Sequence, residues 1–325
     1  MKTQRRRLLH LAGVLATLAV VKRHARGESY PSRPVRIIVA TSAGGGTDLV
    51  ARLLAQWLTG KLGQSFIVED HPGGNNNIGS ELAAHSAADG YTLFMANTVN
   101  TINAAVYKSL HYDFIADFTP VINVMISPLL LMVHPAVPAK TVPEFIAYQK
   151  ANPNKLSLAS GGNGSTGHLA AELLMMMAGI KMVHVPYRGE ALAMSDLIGN
   201  HAQVLMATTG TSIPFVKARS VRALAVTTPT RVTILPDLPP LADFLPGYAV
   251  SGWSGLCAPR NTPANIVDLL NREINNAIAD PTIKQRIADM GGTAPGGSAD
   301  DFARFLASDM QRWVKVAAFT GLKMD

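Results

Sequence analysis

Two stretches of the chain join a run of glycines to hydroxyl residues, and both read as sites for a small anion. One is Ala43-Gly44-Gly45-Gly46-Thr47-Asp48; the other is Ser160-Gly161-Gly162-Asn163-Gly164-Ser165-Thr166-Gly167-His168. Glycine lets a ligand come close to the backbone, and the first turn of a helix leaves its N–H groups without partners. A glycine loop running into a helix is therefore an anion site that needs no cationic side chain. If one such loop sits in each of two lobes, both helix starts converge on one small ligand. A third polar stretch, Asn97 to Thr101, follows an apolar strand, where open α/β sheets bind ligands.

Several side chains here have plainer uses. Asp48 at a helix start reads as an N-cap, since its charge would repel a bound carboxylate. His168 caps the second helix or lines the crevice, and packing explains it equally well. His184 reads as a core histidine. Tyr187 follows a strand end and either shuts the pocket or packs. Arg188, the cation near a loop, is expected to face solvent. The histidines at 71, 168, 184 and 201 lack ligand spacing, so neither metal nor cofactor is expected.

Gly162-x-Gly164-x-x-Gly167 also matches a dinucleotide fingerprint. That fold wants an acid about 20 residues on, at the next strand end. Val185-Pro186-Tyr187 stands there, with Arg188 the one group suited to a 2′-phosphate. An exported NADP-dependent oxidoreductase is thus the second reading. Gly-x-Ser-x-Gly is absent, so a serine hydrolase has no support.

The elements that must hold these loops alternate strand and helix, which predicts parallel sheets. Ile37 to Ala40, Ser65 to Glu69 and Tyr91 to Ala96 read as strands, with helices after the first two. Val121 to Met125 and Leu129 to Val133 read as two apolar runs flanking Ser127-Pro128, a first crossing between lobes. Leu156 to Ala159, Met182 to Val185, Gln203 to Ala207 and Ala223 to Val226 build the second lobe, with a helix near Val142 to Ala151. Prolines 236, 239, 240 and 246 mark an extended return. Val250 to Pro259 re-enters the first lobe, and the remainder is helical, opening at Pro263, dividing at Asp280-Pro281 and capped again at Ser298.

At 325 residues and 48% hydrophobic content, the chain can bury the cores of two α/β lobes. Its formal charge of +7 is a property of the first 27 residues. Seven of the 29 basic residues precede Glu28 and no acid does, which leaves 22 basic against 22 acidic thereafter. No nucleic-acid-binding face is expected. Gln4-Arg5-Arg6-Arg7-Leu8-Leu9 and the apolar segment to Val21 read as a twin-arginine export signal, with cleavage near Ala25-x-Gly27. The segment is too short to span a bilayer, so no membrane insertion of the mature chain is expected. Cys257, the one cysteine, reads as a packed core residue.

Taken in order, the chain resembles the tripartite tricarboxylate transporter substrate-binding proteins, the Bug (TctC-like) family. The likeness runs from Tyr30 to Asp325. Its markers are Tyr30-Pro31-x-Arg33-Pro34, Ala43-Gly44-Gly45-x-Thr47-Asp48, Gly73-Gly74-x-x-x-Ile78-Gly79, Asp117-Phe118-x-Pro120-Val121, Val185-Pro186-Tyr187-Arg188-Gly189, Arg222 to Thr227, and Trp313 followed by Gly321-Leu322-Lys323. The resemblance implies a periplasmic-binding-protein type II-like α/β fold, two lobes joined by two crossover strands with a cleft between them. Lobe 1 would comprise 28–126 and 249–325, lobe 2 127–248, after an export signal at 1–27. It implies a periplasmic receptor, expected to be a monomer, that takes a small mono- or dicarboxylate and hands it to a membrane permease. Carried over, Ala43, Gly44, Gly45, Thr47, Asp48 and Thr98 would line the cleft from one lobe. Ser160, Gly164, Ser165 and Thr166 would line it from the other. Thr41-Ser42 replaces the aromatic and proline usual in the family, which implies a smaller, more polar mouth. The segment Thr208-Thr209-Gly210-Thr211 is shorter than the family's loop, which leaves the far wall open.

Overall fold

The computed structural model describes residues 30–324, so the expected export signal lies outside the described residues. Val35–Val39 forms β1, buried at every position except Arg36, as the β-branched run requires. There follow α1 (Gly46–Leu62), β2 (Phe66–Asp70), α2 (Asn77–Ala84), β3 (Thr92–Asn97), α3 (Thr98–Val106) and the long β4 (Phe118–Val133). The middle of the chain supplies α4 (Val142–Ala151), β5 (Ser157–Ser160), α5 (Thr166–Ala178), β6 (Val183–Pro186), α6 (Glu190–Ile198), β7 (Val204–Thr208), α7 (Thr209–Lys217) and β8 (Arg222–Val226). The last part is β9 (Ser251–Pro259) with α8 (Ala264–Ala279), α9 (Pro281–Asp289) and α10 (Ala299–Thr320). Among the described residues, no helix is long and apolar enough to cross a membrane.

The strands run in the order β2-β1-β3-β9-β4-β7-β5-β6, with β8 also on β4. β2, β1 and β3 are parallel, as are β7, β5 and β6; β9 and β4 are antiparallel to their neighbours. Two parallel α/β lobes therefore share β4. Its residues from Phe118 to Pro128 pair with β9, and those from Leu129 to Val133 pair with β7 and β8. The two apolar runs expected around Ser127-Pro128 are thus one 16-residue strand. Pro128 does not break it, because the missing N–H falls where the strand changes partners. The return passage lies alongside, with Thr227 bonded to Leu129 and to Val250.

α10 packs on α3, β4 and α5, and so touches both halves. Its buried Asp309 gathers three donors on one oxygen. Oδ2 accepts from Thr101 Oγ1 (2.7 Å), Trp253 Nε1 (2.9 Å) and Trp313 Nε1 (3.0 Å), while Oδ1 pairs with Arg312. This ties α3, β9 and α10 behind the ends of the parallel strands. Cys257 is fully buried in the core beside Phe94 and Phe118.

Candidate functional site

The two glycine loops share one construction. In the first, Gly44 adopts φ +80°, Gly45 is the N-cap and Gly46 opens α1. Asp48 is the third helical residue rather than the expected N-cap. The turn at Gly44 brings the backbone back over the helix start, so Asp48 Oδ2 accepts the Gly44 N–H at 2.7 Å. Its Oδ1 lies 2.7 Å from Arg52 Nε, an ion pair whose alignment falls short of a hydrogen bond. In the second loop Gly164 adopts φ +72°, Ser165 is the N-cap and Thr166 opens α5. The third helical residue, His168, again reaches back: its Nδ1 accepts the Gly164 N–H at 3.2 Å. Each loop thus consumes the N–H of its left-handed glycine internally. The donors left are the N–H groups of the first turn beginning at Gly46 and, in the second loop, those of Thr166 and Gly167, since Ser165 Oγ caps the His168 N–H at 3.3 Å.

The other expected residues divide between crevice and scaffold. Ala43 and Gly45 are exposed beside Gly44. Thr47 Oγ1 lies 3.3 Å from Ser254 Oγ and accepts from Asn97 Nδ2 at 3.4 Å. Thr98 is buried, and its hydroxyl accepts the Trp253 N–H at 2.8 Å, which fastens α3 to β9. Ser160 is buried and shapes its own loop, bonded to Gly162 and, at 2.7 Å, to His184 Nε2. Tyr187 donates to Asp196 Oδ2 at 2.6 Å, which pushes its hydroxyl up to about 12, and it packs against the hydrophobic cluster that includes Leu130 and Leu205. Gly162 and Gly164 serve the loop's left-handed turns, while a Cβ at Gly167 would overlap the Met206 carbonyl. The fingerprint spacing follows from this close packing of α5 on β7.

Asparagines bring the two halves together. Asn75 and Asn76 take left-handed conformations at the start of α2, where asparagine is tolerated. Asn76 Nδ2 donates to Asn97 Oδ1 (3.1 Å), and Asn97 reaches Thr47. Asn75 donates to Asn103, and its Nδ2 is 3.4 Å from where a Gly164 Cβ would stand. The second loop therefore sits against the α2 start from the first half. A second contact forms where Thr209 Oγ1 donates to the Gly291 carbonyl (2.5 Å). The run Gly-Gly-Asn-Asn-Asn signals such turns; nothing in the sequence signals Ser254 or Glu190. Glu190, first residue of α6, places its carboxyl against the second loop and the start of α7. Burial pushes that carboxyl up, and bonds from Thr208 and Thr211 oppose the rise. A separate cavity of about 630 Å³ opens beside β8, near Arg219 and Ile234, and shares no residue with either loop.

Behind the second loop, His168 and His184 stack with ring centroids 3.8 Å apart. Burial, and then the neighbouring His168, hold His184 down to about 4, with Glu172 opposing. An unfolded histidine protonates near 6.5. Between those values the unfolded chain takes up a proton that the native one refuses. The neutral ring's contribution is therefore complete above about pH 6.5 and lost as pH falls towards 4. Melting scans from pH 7.5 to 4.5 should show a loss of about 1–2 kcal/mol at this site, discounted because the ring is only half-buried. His184→Gln should remove that part of the slope; an unchanged slope would refute the assignment.

Comparison with known proteins gives the chain its relatives. The chain is 32% identical over 321 residues to Protein BugT of Bordetella pertussis, covering 98% of each. It superposes with a TM-score of 0.82 on R. palustris Rpa4515 with adipate, at 35% identity, over 90% of this chain and 99% of that one. MatC (Rpa3494) from Rhodopseudomonas palustris with bound malate gives 0.78 at 29% identity, over 88% and 99%. Residues 50–322 match the model of the tripartite tricarboxylate transporter family receptor, TctC. With two α/β lobes sharing β4, and solute-binding relatives matched over nearly their whole length, the chain belongs to the TctC (Bug) family of solute-binding receptors, not of enzymes.

Proposed function

We propose that the protein is a periplasmic receptor for a small mono- or dicarboxylate, which it delivers to a tripartite tricarboxylate-type permease. The lobes divide at 126/127 and 248/249, beside the point where β4 changes partners. They close on the ligand about β4 and the return passage. One observation carries the reading: the second glycine loop at Gly164 sits against Asn75, whose neighbour Asn76 is linked through Asn97 to Thr47 in the first turn of α1, so a glycine-opened helix start from each lobe adjoins one asparagine cluster. The adipate and malate bound by relatives supply the ligand class. Charge-assisted hydrogen bonds contribute about 1.5–3 kcal/mol each, and micromolar affinity needs about 8 kcal/mol. Four or five donors from the two helix starts suffice after the entropic cost of closure. A thermal-shift panel of C2–C8 mono-, di- and tricarboxylates on the chain from Glu28 tests this. A ligand at a hundredfold excess over its Kd should stabilise by about 2.7 kcal/mol, several degrees of Tm. Silence across the whole panel would defeat the proposal.

A further inference from the structure

The cavity beside β8 lies among β8, the end of α7 and the return passage, away from both glycine loops. Its volume of about 630 Å³ falls within the range of about 300–1,000 Å³ typical of small-molecule pockets. Val216, Val221, Leu235 and Leu238 give it an apolar lining continuous with the core around Met194 and Leu205, and Ile234 stands exposed on the same wall. Two arginines also line it, Arg219 and Arg222, against a single acid, Asp237. Unlike Arg36, Arg52 or Arg312, neither is in an ion pair among the described residues. Arg222 donates instead to the carbonyls of Pro135 (3.3 Å), Val137 (3.2 Å) and Ala139 (3.0 Å), which fix the guanidinium without neutralising it. Arg219 stands where α7 ends in a Schellman turn, its N–H on the Val216 carbonyl and the Ser220 N–H on the Phe215 carbonyl. The left-handed position of that turn is usually glycine, yet here it is an arginine with φ +58°. Among the described residues, every other non-glycine residue with positive φ is asparagine. Backbone energy therefore disfavours Arg219, and its side chain has no partner in the protein that would compensate.

We propose that this cavity is a second ligand site, for a small organic monoanion with an apolar body, such as an aryl or cycloalkyl carboxylate. The carboxylate would be held by Arg219 and Arg222, and the ring would cover Val216, Ile234 and Leu235. Two cations and one acid on the lining match a single negative charge. The apolar body displaces water from around the ion pair, and the lower local dielectric strengthens the attraction. A neutral analogue of the same shape keeps the apolar contact and forfeits the charge-assisted hydrogen bonds. The proposal does not rest on the receptor reading, because the cavity shares no residue with either glycine loop.

Methyl NMR of the chain from Glu28, labelled at isoleucine, leucine and valine, tests it by titration with benzoate, cyclohexanecarboxylate and benzamide. At least one of the two acids should shift the Ile234 and Leu235 methyls saturably, and benzamide should bind there about tenfold or more weakly. Arg219→Gly suits the left-handed turn, so it should keep or raise Tm while weakening the acid about tenfold. Gly44→Asp, which alters the crevice, should leave these shifts as they are in wild type. The proposal fails if neither acid shifts these methyls saturably below about 10 mM, or if benzamide binds as well as the acids. It fails equally if Arg219→Gly binds like wild type, or if Gly44→Asp removes the shifts, which would assign them to the crevice. Failure here leaves the receptor reading standing, and silence of the carboxylate panel at the crevice leaves this cavity to be decided by its own methyls.

Discussion

Gly44→Asp should abolish ligand-induced stabilisation while leaving the melting temperature of the free protein almost unchanged. Gly44 is exposed, and no atom lies within 4 Å of where its Cβ would be. Its φ of +80° is one that aspartate and asparagine tolerate better than other residues. Asp48 nearby is already paired with Arg52, which limits its repulsion of a new carboxylate. The added charge would stand beside the first turn of α1, where the proposed site would hold the ligand's own charge. At 4 Å and an effective dielectric constant of 20, two like charges repel by about 4 kcal/mol, close to a thousandfold in affinity. Gly44→Asn has the same shape without the charge and should retain most of the binding. Titration of both variants with the best ligand of the carboxylate panel decides the matter. Equal affinities for the aspartate and asparagine variants would place the anion elsewhere. Gly164→Asp is a poorer probe, since its Cβ would meet Met324 Sδ at 3.1 Å and Asn75 Nδ2 at 3.4 Å.

The largest loss of stability is expected from Asp309→Ala. The substitution leaves the Trp253 and Trp313 indole N–H groups buried without their acceptor, leaves the Thr101 hydroxyl only the Thr98 carbonyl, and frees Arg312 from its partner. Breaking a buried charge cluster in this way costs about 3–5 kcal/mol. Thermal scans should show Tm lower by about 5–8 °C. Asp309→Asn keeps one acceptor oxygen and should lose roughly half as much. The effect should extend to the site, because Trp253 also bonds Thr98 at the head of α3. An alanine variant melting within about 2 °C of wild type would show that Asp309 does not hold these elements together.

Much of this organisation is written in local pattern. The strand-and-helix alternation, the helix over Val142–Ala151, the Asp280-Pro281 start and the Ser298 cap are decided by neighbours in sequence. Hydrophobic period and capping act over three or four residues, so one chain suffices to read them. α3 and α7 were not legible in the same way. Thr98–Val106 is rich in asparagine and β-branched residues, weak helix formers. It is helical because Asn97 and Asn100 form a capping box and α10 packs along it. Thr209–Lys217 contains Gly210 and Pro214, and its start is positioned by the Met290-Gly291 backbone across the molecule. The segment expected to be a short loop is therefore a helix start, supported by contacts eighty residues away.

The candidate site divides along the same line. By itself the sequence determined where two glycine-opened helix starts lie, because glycines, hydroxyls and a following apolar helix occupy adjacent positions. It also determined the family and the two-lobed fold, through ordered markers along the chain. Tertiary structure alone decided which groups in those loops are free. Asp48 and His168 take the glycine N–H groups, Thr98 and Ser160 turn inward to β9 and His184, and Glu190 fills the start of α7. A hydrogen-bond donor is available to a ligand only if no nearer acceptor claims it, and several of these claimants lie tens to hundreds of residues away. Distance along the chain does not encode that competition; packing does.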